Sequence, residues 1–131
     1  MSDFEVFSRD LAPLNSQPLV TVQKRGAISL NRAAHAALHS AVAVELLFDR
    51  EQRIIGLRPV APNGAHAYPL RPATSSPSGP FVISAMAFLR HYEVDTTVSR
   101  RWVGYLDDGV LCINLSNDST VVTSNRARRD P

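Results

Sequence analysis

Residues 19–60 read LVTVQKRGAISLNRAAHAALHSAVAVELLFDREQRIIGLRPV. The order predicted from them is strand, tight turn, strand, short helix, strand, turn, strand. TVQK runs into Arg25-Gly26, and AISL follows. Gly26 supplies the permissive backbone that a tight turn needs. Asn31 is a good N-cap for a helix starting at Arg32, and Ala33, Ala34, Ala36, Ala37 and Leu38 are strong helix formers. Ala41 to Phe48 is apolar and rich in strand formers. Asp49 to Gln52 is a polar break, and the apolar run from Arg53 ends at Pro59.

Working outward, residues 3–14 place Phe4, Phe7, Leu11 and Leu14 at three- and four-residue spacing. This predicts a short amphipathic helix docked on the body and ended by Pro13. Residues 59–80 hold six of the nine prolines. AHAYPLRP is therefore expected as an extended edge segment, because proline cannot sit in a central strand, and ATSSPSGP as a flexible linker. Residues 81–115 repeat the order of the first unit: FVIS as a strand, AMAFLRHYEV as a helix, then two strands around Asp107-Asp108-Gly109, a hairpin signal. Ile28 matches Ile83 at an offset of 55 and Asp49 matches Asp107 at 58, which suggests an ancient duplication. Five segments are expected: a helical arm over 1–18, the first unit over 19–60, a Pro-rich connector over 61–80, a second, diverged unit over 81–115, and a flexible basic tail over 116–131. The fold class is mainly β with short helices (α+β), a β-β-α-β-β unit in tandem.

Composition limits the function. The chain has 131 residues, 44% hydrophobic and 20% charged, enough for one domain or two very small ones sharing a core. No apolar run reaches the ~20 residues that cross a bilayer. The acidic start MSDFEVFSRD has no basic flank and apolar run, so no signal peptide is expected. Cys112 is the single cysteine; it excludes an intrachain disulfide and fits a reducing, cytoplasmic setting. The net charge is +2, but residues 19–58 carry six cations against three carboxylates, and the tail holds Arg126, Arg128 and Arg129. That distribution suits a polyanion partner.

Residues 19–60 resemble the swapped-hairpin DNA-binding domain of the AbrB and SpoVT transition-state regulators, the MazE-type antitoxins and the MraZ proteins. The matching positions are Val20, Val22, Gly26, Ile28, Leu30, Leu38, Val44, Leu46, Asp49, Ile54 and Leu57. Two copies in one chain resemble the MraZ arrangement. The chain departs from the pattern at Asn31, where the family usually has proline, and at Leu38 to Ala41, where it usually has a Gly-containing turn. The Arg-rich helix signature of MraZ is also missing. The resemblance implies a swapped-hairpin fold and a regulator that binds double-stranded DNA.

Gln23, Lys24, Arg25, Arg32 and Arg53 are the candidate DNA contacts. The first three project from the turn, Arg32 opens the helix, and Gln23 and Arg25 have the chemistry to read base edges. Lys24 and Arg25 also suit a plain solvated hairpin tip. A homodimer is expected, because Val20, Val22, Ile28, Leu46, Phe48 and Ile55 of so small a unit need cover from elsewhere; the second unit is the alternative source of that cover.

No catalytic set is expected. His35 and His39 stand four apart on the predicted helix but have no third ligand. The serines lack a nucleophile elbow, and Asp107 and Asp108 are turn residues. No cofactor and no metal are predicted, and the chain reads as a non-enzyme. A protein-interaction or assembly module of the same fold is the alternative. A single-strand-binding protein of the Whirly or Pur kind is a third, against which 7% aromatic residues is thin for base stacking. Trp102, beside Arg100 and Arg101, is expected to face the core; the two arginines are expected to matter less for DNA than the hairpin.

Overall fold

The computed structural model describes Phe4, residues 17–76 and residues 79–123. The expected helical arm lies outside these residues except for Phe4, Gln17 and Pro18. Phe4, expected to dock, is exposed. In chain order the elements are β1 (Leu19–Val22), β2 (Ala27–Leu30), α1 (Arg32–Ala37), β3 (Ala43–Asp49), β4 (Ile54–Pro59), β5 (Tyr68–Pro69), β6 (Arg71–Pro72), β7 (Phe81–Ser84), α2 (Met86–His91), β8 (Ser99–Val103), β9 (Tyr105–Asp107), β10 (Val110–Asn114) and β11 (Thr120–Val122). The fold is mainly β with two short helices, as expected.

Alternation sets the strands. In β1 and β2, Val20, Val22, Ile28 and Leu30 are fully buried while Thr21 and Ser29 face outward, the period-2 pattern of a half-covered sheet. The turn between them closes with two 2.8 Å bonds, Gly26 N–H to the Gln23 carbonyl and Gln23 N–H to the Ala27 carbonyl. Gly26 has φ 94. This is a tight turn followed by a left-handed bulge residue, a common three-residue hairpin loop. Asp108 (φ 52) and Gly109 (φ 79) make the two-residue turn joining β9 to β10; two successive positive φ values are what Asp-Gly supplies.

Asn31 does more than cap. Its Oδ1 accepts from Ala34 N–H at 2.8 Å and from Leu19 N–H at 3.0 Å, and its Nδ2 donates to the Gln17 carbonyl at 2.9 Å. Its own N–H donates to the Leu19 carbonyl at 3.1 Å. The side chain therefore ties the helix start to β1, which a proline at this position could not do.

The two expected units interleave. One sheet runs β11-β8-β1-β2-β7-β6 and the other β5-β3-β4-β10-β9, with all pairings antiparallel. The repeat partners Ile28 and Ile83 lie directly opposite each other across β2 and β7. Across β4 and β10, Ile55 faces Ile113, and Leu57 faces Leu111. The cover for Val20, Val22, Ile28 and Ile55 thus comes from Ile83, Leu89, Trp102, Leu111 and Ile113 of the same chain, in one continuous core. Leu46 and Phe48 pack against its margin. The homodimer expected to provide that cover is not needed for it.

The prolines act as anticipated: β5 and β6 sit at sheet edges. The connector is more than a linker, however. A single residue, buried Leu70, separates β5 from β6, so the segment passes from one sheet to the other. Buried Gly104 does the same between β8 and β9. A Cβ on Gly104 would lie 3.0 Å from Leu111 Cδ1. Within the tail expected to be flexible from Ser116, Thr120–Val122 form β11, which pairs with β8. Residues 124–131 lie outside the described set.

Candidate nucleic-acid interface

Antiparallel register places opposite residues on the same face of a sheet. Thr120, Arg101, Thr21, Ser29, Val82 and Arg71 therefore form one row across all six strands of the first sheet. The row is on the outer face, because the adjacent Val20, Val22, Ile28 and Ile83 are buried in the core. At one end of the sheet stands the β1–β2 tip. Lys24 and Arg25 are exposed there. Lys24 N–H donates to Ser99 Oγ at 2.8 Å, tying the tip to β8, and Arg25 Nε donates to Gln23 Oε1 at 3.0 Å. A groove of about 610 Å³ runs beside the tip, lined by Thr21, Gln23, Lys24, Arg25, Ser99, Val122 and Thr123.

Charge is segregated between the sheets. The strands of the first sheet and the tip hold Lys24, Arg25, Arg71, Arg100 and Arg101 and no carboxylate, while the loops leading into β8 and β11 carry Glu93, Asp95 and Asp118, with Asp95 beside the core-side Arg100. The second sheet and its two turns hold Glu45, Asp49, Glu51, Asp107 and Asp108 against Arg50, Arg53 and Arg58. Arg58 is further neutralised by an ion pair with Glu45.

The five candidate contacts do not come together. Gln23, Lys24 and Arg25 share the tip. Arg32 is exposed but stands at the far end of β2, six residues beyond Gly26, on the order of 20 Å by strand rise. Arg53 is committed elsewhere. Its Nη1 donates to the Tyr92 carbonyl at 2.9 Å and its Nη2 to the Glu93 carbonyl at 3.2 Å, closing the C-terminal end of α2, while its guanidinium lies 5.0 Å from the Phe48 ring centre. Tyr92 stacks on Phe48 at 4.4 Å and carries Arg50 at 4.8 Å. These arginines fasten the β3–β4 turn to α2.

Arg100 and Arg101, expected to act as a pair, point to opposite faces. Arg100 shares the core-side row with Val22 and Ile28 and reaches Ser119 Oγ at 3.4 Å. Arg101 shares the outer row with Thr21. The sequence carried this signal: Trp102 is buried, as expected, and strand alternation then puts Arg100 on its side and Arg101 on the other. Its indole N–H donates to the Asn117 carbonyl at 3.2 Å.

The histidines do not form a pair. α1 ends at Ala37, and His39 follows with φ 56. His35 stacks on Phe81 at 3.8 Å and bonds the Ala41 carbonyl through Nε2 at 2.8 Å. Among the described residues no group of three or more His, Cys, Asp or Glu is placed to hold a metal ion. Burial pushes the Cys112 thiol up from its ordinary pKa, with Asp107 adding to the effect. No described helix is long and apolar enough to cross a membrane. Comparison with protein-family models, with curated proteins and with solved structures finds no match.

Proposed function

We propose that the chain is a small non-enzymatic DNA-binding regulator of the AbrB and MraZ kind, antitoxin-like or phage-type, acting on double-stranded DNA in the cytoplasm as a homodimer. The observation that carries this proposal is the β1–β2 tip. Lys24 and Arg25 stand exposed on a hydrogen-bonded turn, on a sheet whose strands carry no carboxylate. Phosphate neutralisation supplies most non-specific DNA affinity, and it needs cations grouped on one accessible surface. Gln23 and Arg25 add groups able to read a major-groove edge. The test is binding of a random duplex, followed by fluorescence anisotropy at 50 and 200 mM salt. The Lys24→Ala, Arg25→Ala double variant should bind more weakly, with a salt dependence flatter by about two units on a log–log plot. Parent-like binding by the double variant would remove the tip from the interface, and failure of the parent to bind at low salt would end the regulator proposal.

A protein-interaction module is favoured by a different observation. Val103, Tyr105 and Leu106 are 52%, 40% and 54% exposed around the β8–β9 bend, Tyr105 and Leu106 on opposite faces of β9, apolar side chains that a partner could cover. The duplex titration separates the two readings, and light scattering of the free protein tests the homodimer: a monomer mass would overturn it.

A further inference from the structure

We propose that the DNA-contact surface extends from the hairpin tip over the outer face of the first sheet, and that Arg101 and Arg71 are duplex phosphate contacts. This rests on the DNA-binding proposal above and deepens it. The two arginines are far apart in sequence, yet the register sets them in one row, Arg101–Thr21–Ser29–Val82–Arg71. Arg71 is exposed and Arg101 half-buried. Four strand spacings of about 4.8 Å separate β8 from β6, so the two guanidinium-bearing positions stand ~19 Å apart along the sheet. A B-DNA major groove is about 12 Å wide. With a backbone ridge on each side it comes close to this span. Thr21 and Ser29, between the two arginines, add hydroxyls of the kind that bond phosphate oxygens. No carboxylate in these strands opposes an anion.

The same face points to a duplex over a single strand. Unpaired bases are held by stacking on aromatic rings. The aromatic residues of the first sheet, Trp102 and Phe81, lie on its core side: Trp102 is buried opposite Val20, and Phe81 is paired with Leu30 and stacked on His35. What the outer row offers is hydroxyl and guanidinium, which recognise backbone.

Arg100 is the internal control, adjacent to Arg101 in sequence and equal in charge but on the opposite face. The experiment measures duplex affinity of the full chain between 50 and 200 mM salt for the parent, Arg71→Gln, Arg101→Gln, the Arg71→Gln, Arg101→Gln double variant, Arg100→Gln and the Lys24→Ala, Arg25→Ala double variant. Urea midpoints confirm that each variant folds, and Arg101→Lys and Arg71→Lys serve as charge-keeping forms. Four phosphate contacts give a log–log slope of about −3.6, a loss of about 150-fold in affinity over that fourfold salt range. The Arg71→Gln, Arg101→Gln double variant should fall to about −1.8, a loss of about 12-fold. Arg100→Gln and the two Lys variants should keep the parent slope. If the tip variant flattens the slope while Arg71→Gln and Arg101→Gln do not, the extension is overturned and the tip proposal stands. Equal effects of Arg100→Gln and Arg101→Gln would mean that net charge, not this face, is sensed, and would also overturn it. Tighter binding of a single strand than of the duplex would overturn the choice of ligand. A parent that binds no duplex at 50 mM salt would take both proposals down together.

Discussion

Replacing Gly26 by Ala tests whether the tip is built as described. Two separate costs meet at this residue. Its φ of 94 lies where L side chains are strained, which costs about 1 kcal/mol for a non-glycine residue. A Cβ there would also sit 2.5 Å from Met86 Cε and 2.9 Å from Met86 Cβ at the start of α2. The Cε end can swing aside, but Met86 Cβ is fixed by the helix, and by its neighbour Ala85, whose N–H donates to the Gly26 carbonyl at 3.0 Å. Forcing a methyl into such a contact costs roughly 1–3 kcal/mol. The sum is about 2–4 kcal/mol. Gly109 provides the comparison: its φ is 79, but nothing lies within 4 Å of an added Cβ, so Gly109→Ala should cost only the backbone share, about 1 kcal/mol. Urea denaturation at constant m gives both values. A Gly26→Ala, Met86→Gly double variant, which removes the fixed Met86 Cβ, should show a coupling that recovers part of the steric cost. If Gly26→Ala costs no more than Gly109→Ala, the close approach of the turn to α2 is wrong.

Two further outcomes follow from the side-chain bonds. Asn31→Ala should destabilise by about 2 kcal/mol, about 1 from the lost helix cap and the rest from the Leu19 and Gln17 bonds that the same side chain makes; a loss under about 0.5 kcal/mol in a denaturant titration would show that the tie between β1 and α1 contributes little. Arg53→Ala should destabilise by about 1.5–3 kcal/mol, because it removes charged donors from two α2 carbonyls, yet leave the salt slope of duplex binding at the parent value; a slope flatter by one unit would return Arg53 to the interface.

Much of the fold was legible where the cause is local. Asp108-Gly109 announced its hairpin because few other pairs accept two positive φ values in succession. Asn31 announced a helix start, and the prolines at 69 and 72 announced edges. The match of Ile28 to Ile83 pointed to a repeat, and the two residues proved to be strand partners. What stayed hidden is long-range. The chain of residues 19–60 carries nothing to say that β2 pairs with β7 and not with a second copy, since either partner satisfies the same buried row. Arg53 looked like a free cation because its partners, the Tyr92 and Glu93 carbonyls, lie about 40 residues downstream and are backbone atoms that any sequence supplies. The tail looked too polar to order, but β11 is held by its ladder to β8 more than by burial: Thr120 and Val121 stay exposed.

The interleaving also separates folding from association. A swapped-hairpin unit standing alone would need a second copy to complete its core, and its stability would then depend on concentration. Here the partner strands for β1, β2 and β4 are β8, β7 and β10 of the same chain. The central residues of the core, Val22, Ile28, Ile55, Ile83 and Leu111, are fully buried without any second chain. The two segments also differ in charge. The first has Lys24-Arg25-Gly26 at its hairpin tip, while the stretch of sequence matched to it, Ser78-Gly79-Pro80, has no charge, and more carboxylates lie on the second sheet and its turns. Within each chain the basic tip and the carboxylate-free strands lie on one sheet, and the exposed Val103, Tyr105 and Leu106 lie at the β8–β9 bend. In the proposed homodimer a two-fold axis would present that tip twice.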